Sequence, residues 1–113
     1  MKNFVILFRQ SPRPLADADK QRRAEETGAW ARRVNSAGHQ LEPRILAPES
    51  ALRGPSNPAT RPDAWPVTAL LFLQANDLNE AARIVESHPA LRYGAAVEVR
   101  PWAPPVPIVQ TPP

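Results

Sequence analysis

Two apolar runs, Phe4-Val5-Ile6-Leu7-Phe8 and Val67-Thr68-Ala69-Leu70-Leu71-Phe72-Leu73, most constrain what this chain can fold into. Both are short and rich in β-branched and aromatic side chains. Turn residues bound them, Ser11-Pro12-Arg13-Pro14 after the first and Pro66 before the second, so both read as strands. Successive strand residues point to opposite faces. Phe4, Ile6 and Phe8 therefore share one face, and Val5, Leu7 and Arg9 the other. In the second run Val67, Ala69, Leu71 and Leu73 alternate with Thr68, Leu70, Phe72 and Gln74. Both sets are mostly apolar, whereas an antiparallel sheet wet on one side alternates cleanly. The sheet needs cover on both faces.

The remaining elements cover one of them. Between the runs, Asp17 reads as an N-cap and Asp19 as a first-turn acid favoured by the helix dipole. The helix runs to about Ala37, with Ala24, Thr27, Ala31 and Val34 on its apolar face and Trp30 and Ala37 beside them. Gly28 inside it is explained by a close approach to the sheet. Gly38 is a left-handed C-cap. Gln40–Leu46 is a weaker strand, placed at an edge because Pro43 lacks a backbone donor. Residues 47–66 hold five prolines and form a long loop or distorted hairpin. Asp77-Leu78-Asn79-Glu80 has capping-box spacing with the acid in place of Ser or Thr. The helix behind it buries Leu78, Ala81, Ala82 and Val85 and stops at His88-Pro89. Gly94–Arg100 is the last strand.

That order, β-α-β-β-α-β, is the α+β ferredoxin-like arrangement with two helices on one sheet face. Residues 1–102 form one domain, and 103–113 are a proline-rich, charge-free extended arm. No spare element remains for the second face. A second copy of the chain is the natural cover, giving a homodimer through the open sheet face.

Composition excludes more than it assigns. The 113 residues include no cysteine, so there is no disulfide framework, no thiolate nucleophile and no Cys-based zinc site. No apolar run approaches the roughly 20 residues that span a membrane. The stretch Phe4–Phe8 is too short for a signal peptide and lacks a small-residue cleavage site, so a cytoplasmic location is expected. The balance of 14 basic to 11 acidic residues gives a mild +3. Arg22-Arg23 and Arg32-Arg33 flank Glu25-Glu26 on the first helix, the pattern of a solvated face and not of a nucleic-acid footprint. There is no Gly-rich phosphate loop, no nucleophile elbow, no His-Glu-x-x-His and no flavin or nicotinamide fingerprint, so no cofactor or metal is assigned.

The opening strand, Trp30 followed by Gly38, Asp77-Leu78-Asn79-Glu80-Ala81-Ala82, and His88-Pro89 before Val97-Glu98-Val99-Arg100-Pro101-Trp102 together resemble the YCII-related domain family. The resemblance covers about residues 2–102. It implies a bacterial protein with a dimeric α+β barrel and a cleft between the sheets, and for some members an acid-base pair of His and Asp. YciI-like members carry a His in the first helix, and Gln21–Gly38 has none. They also tend to have Asp-Pro where the second helix ends, where this chain has His88-Pro89. The branch named for an Asp-Gly-Pro-Phe motif shares the His-Pro ending, but Gly54-Pro55-Ser56-Asn57-Pro58 stands in place of its motif. Only His88 matches a family position.

His88 is thus the candidate acid or base, since a neutral imidazole works near physiological pH. The structural alternative is a helix-end cap. His39, after the C-cap glycine, reads as a loop or surface residue. In the last strand Glu98 and Arg100 share the parity opposite to Val97 and Val99, and Arg9 matches them on the first strand. Charges in a partly buried cleft must be paired. Either Glu98 and Arg100 satisfy each other, or Arg9 and Arg100 hold an anionic ligand while His88 or Glu98 moves a proton. Arg92 and Tyr93 supply further donors. Trp30 and Trp102 read as core or interface anchors. Two functional readings follow. One is a lyase- or isomerase-type acid-base enzyme acting on a small polar or anionic molecule. The other is a non-catalytic ligand-binding or interaction module, in which the proline-rich tail docks on a partner.

Overall fold

The computed structural model describes residues 1–51, 53 and 65–103. Strand β1 (Lys2–Arg9) leads into helix α1 (Asp17–Ser36), then β2 (Glu42–Ile45), β3 (Val67–Ala75), helix α2 (Leu78–Glu86), a 3-10 helix (Pro89–Tyr93) and β4 (Ala96–Pro101). The sheet order is β2-β3-β1-β4 with antiparallel neighbours throughout. This is the ferredoxin-like α+β arrangement. The expected tail beyond Ala103 and most of the proline-rich loop lie outside the described residues.

Register explains the core. Phe4 lies opposite Leu73, and Ile6 lies between Leu71 and Val99. Phe8 lies between Ala69 and Val97. These side chains make one apolar layer, closed by Trp30 and Val34 of α1 and Ala81 and Val85 of α2. Each large side chain fully buried there contributes roughly 1.5–3 kcal/mol. Trp30 is the largest, at 2% exposed, and its indole N–H donates to Ser87 Oγ at 2.8 Å. Ser87 in turn donates to the Ile84 carbonyl at 2.8 Å, so α1 is tied to the C-terminal end of α2.

Several local expectations change. Asp17 is the first helical residue and Ala16 occupies the N-cap with no side-chain bond, so Asp17 and Asp19 act on the dipole by charge alone. Ala24 and Ala37 are exposed because α1 packs through Trp30 and Val34, a stripe rotated from the expected one. Leu78 is 47% exposed. It opens α2, and helical Cβ atoms tilt toward the N-terminus, here past the end of β3. Gly28 makes no close approach to the sheet: an added Cβ would meet only Arg32 Nη1, at 3.6 Å. The last strand begins at Ala96, because the 3-10 helix ends on Gly94 at φ 90°, a left-handed turn that glycine accommodates. Asp77 caps α2 as expected, accepting from the Glu80 N–H at 2.8 Å, while Glu80 reaches back to the Asn76 N–H at 2.7 Å. β2 is an exposed edge strand, which suits Pro43. No described helix is long and apolar enough to cross a membrane.

Candidate active site

A cavity of about 420 Å³ lies between α1 and the β2-β3-β1 side of the sheet. Small residues line it on the facing sides, Thr27 and Ala31 on α1 and Ala69 on β3. Leu41, Pro43 and Ile45 form the β2 wall, and Ile45 is 81% exposed, so the cavity opens at this sheet edge. Phe8, Trp30 and Leu71 make an apolar inner wall.

His88 sits at that inner wall. Its backbone N–H bonds the Val85 carbonyl at 2.9 Å, closing α2, and its carbonyl accepts from Leu91 N at 3.2 Å, opening the 3-10 helix. The imidazole is 7% exposed and packs against Phe8 and Trp30, with ring centroids 4.7 Å and 4.6 Å away. Nδ1 accepts the Ala90 N–H at 2.9 Å. A backbone amide can only donate, so Nδ1 is unprotonated and the neutral ring carries its proton on Nε2. Burial, reinforced by the Arg92 charge, pushes the pKa down from 6.5 to about 4. At neutral pH the ring is therefore uncharged. No buried side-chain nitrogen or oxygen lacks a hydrogen-bond partner among the described residues. Nε2 has no such partner, so it is not sealed in. His88 lines the cavity. The residue expected to be either an acid or base or a helix-end cap is seen, in this setting, as an uncharged ring capping the 3-10 helix.

The other expected site residues lie elsewhere. Arg92 and Tyr93 turn to α1, with Arg92 Nη2 2.5 Å and the Tyr93 hydroxyl 3.2 Å from Glu26 Oε1. The Arg92 hydrogen bond holds the Glu26 carboxyl below its usual range. Arg9, Glu98 and Arg100 meet on the opposite sheet face. Glu98 lies between the two guanidiniums, 3.8 Å from Arg9 Nη2 and 3.4 Å from Arg100 Nη1. Arg9 also donates to the Trp65 carbonyl at 3.0 Å. The sheet thus separates this triad from His88. His39 is half-buried, with Nδ1 2.8 Å from the Gln74 carbonyl. Trp102 is 43% exposed and meets Phe72 edge-on at 5.7 Å.

Sequence reasoning missed the polar lining, Gln10, Arg23, Thr27, Asn35 and Thr68. Its signal was present: Arg23, Thr27, Ala31 and Asn35 recur every four residues, one continuous stripe of a helix. Arg23 is half-buried at the cavity and does not belong to the solvated face of α1. No group of three or more His, Cys, Asp or Glu side chains is placed to hold a metal among the described residues.

No family model and no curated protein matches this chain. Among solved structures it is similar to the 5-chloro-2-hydroxyhydroquinone dehydrochlorinase TftG from Burkholderia phenoliruptrix, determined in complex with 2,5-dihydroxybenzoquinone. The TM-score is 0.53 at 19% identity, over 89% of this chain and 93% of that one. The two share a fold. At that identity the likeness concerns the α+β backbone arrangement.

Proposed function

We propose that this chain is a YCII-like acid-base enzyme of the lyase or isomerase type, acting on a small polar or anionic molecule held in the helix-side cavity. The observation that carries this reading is His88, its tautomer fixed by the Ala90 N–H, lining a largely apolar chamber. A preorganised neutral donor of this kind stabilises negative charge developing on a ligand oxygen, as when a carbonyl becomes an enolate and its α-proton passes to a water molecule at the cavity mouth. The dehydrochlorinase fold likeness is compatible with such chemistry. A second reading, a non-catalytic ligand pocket, draws support from the absence of any carboxylate among the described lining residues.

His88→Asn separates the two. Asn at an N-cap still accepts the Ala90 N–H, while Nε2 is lost. Chloride release from 5-chloro-2-hydroxyhydroquinone, and deuterium uptake by a panel of cyclic ketones in heavy water, are the readouts. Wild type should catalyse at least one reaction, and His88→Asn should slow it about 100-fold. Ligands that bind the wild type without turnover would leave the pocket reading. A variant as active as the wild type would remove His88 from the chemistry.

We also place this protein in the cytoplasm as a homodimer joined through the sheet face that bears Val5, Leu7, Leu70 and Phe72. No described element packs on that face.

A further inference from the structure

The helix-side cavity has a neighbour. A second, more open cleft of about 320 Å³ lies where β1 turns into α1, and it shares two lining residues with the first, Gln10 and Arg23. Its charged lining residues are Arg13, Lys20 and Arg23, with no acid among them. Lys20 has a loose partner in the exposed Asp17, 4.0 Å away. Arg23 is half-buried, and its guanidinium makes one long hydrogen bond, 3.4 Å from Nη1 to Gln10 Oε1. Its other N–H groups have no partner among the described residues. A rigid fork of donors in that position suits a carboxylate.

The position of Arg23 relative to His88 limits the ligand's length. Trp30, whose ring touches His88, lies seven residues after Arg23 on α1. That is two turns, or about 10 Å of helical rise. Between them Thr27 and Ala31 leave room against the apolar inner wall.

The geometry points to an oxygen-bearing aromatic or alicyclic carboxylic acid as the ligand class. Its carboxylate sits at the basic mouth on Arg23, with Lys20 and Arg13 adding charge. Its ring fills the apolar chamber, and its far oxygen accepts from His88 Nε2–H. This inference rests on the cavity reading above and adds an anion subsite that the His88 argument does not require.

The test is titration calorimetry on the full chain with para-hydroxyphenylacetate and its uncharged amide. The carboxylate should bind about tenfold more tightly than the amide, the usual worth of a charge-assisted hydrogen bond. Arg23→Gln should abolish that preference, and added salt should erode it. His88→Asn should weaken both probes while leaving their ratio intact. Equal affinity for both probes, with both excluded by the cavity-filling Ala31→Trp, would overturn the anion subsite and keep the cavity. If neither probe binds, or if Ala31→Trp leaves binding unchanged, both the subsite and the cavity reading fail.

Discussion

His88 is a cap, and the role proposed for it in the cavity depends on that cap. As a cap it gives its Nδ1 lone pair to Ala90 N–H, and that bond decides which nitrogen carries the proton. The same burial that makes the ring a good cap makes its charged form costly. The consequence for stability has a definite sign. Below pH 6.5 the unfolded chain binds a proton at this position, while the folded chain does not until about pH 4. Stability is therefore lost as pH falls through that window, with a slope of up to about 1.4 kcal/mol per pH unit from this residue. Urea unfolding at several pH values should show that loss in the wild type and a shallower dependence in His88→Asn. Parallel curves for the two proteins would show that the ring titrates normally.

At the scale of the element, α1 serves two masters along adjacent stripes. Trp30 and Val34 belong to the core, Trp30 also forming part of the cavity's inner wall, and Arg23, Thr27, Ala31 and Asn35 line the cavity beside them. Gly28 belongs to neither. An added methyl there meets only the flexible end of Arg32, and the residue is in ordinary helical backbone. Gly28→Ala should therefore stabilise the protein by about 0.5–1 kcal/mol, through helix propensity and a less free unfolded chain. A higher urea midpoint at unchanged slope is the expected result. A lower midpoint would mean that the glycine is needed for a contact outside the chain. The capping of α2 shows the opposite case: Asp77 and Glu80 act through the nearest backbone, so their spacing alone foretold the bonds.

For the whole molecule, the decisive feature is a sheet with two unlike faces. One carries the core and the cavity. The other presents Val5, Leu7, Leu70 and Phe72 in register across β1 and β3, rimmed by Trp102 and the Arg9–Glu98–Arg100 triad. Apolar surface arranged in this way favours association. Light scattering on the full chain should report a dimer, and Phe72→Lys, which would bury an unpaired charge in the interface, should give a folded monomer. A monomeric wild type at micromolar concentration would remove the second copy from the account.

What the sequence by itself determined was whatever depends on neighbours a few residues apart. Strand parity put Phe4, Ile6 and Phe8 on one face and Glu98 with Arg100 on the other. Gly38 and Asp77 marked helix ends, and Pro43 marked an edge. These follow from local geometry: a period of two in strands, the steric freedom of glycine and the missing donor of proline. The site was only half legible. His88 stood out as a titratable residue at a helix end, but the face it occupies depends on how the chain turns through the 3-10 helix and Gly94. In the fold the ring lies against Phe8 and Trp30, residues eighty and fifty-eight positions earlier. Only the tertiary structure brings those rings together. It alone puts the sheet between His88 and the arginine–glutamate triad, and it alone opens a cavity where small side chains of α1 and β3 meet. Contacts of that range carry no periodic mark in the chain, because they are set by the packing of whole elements against one another.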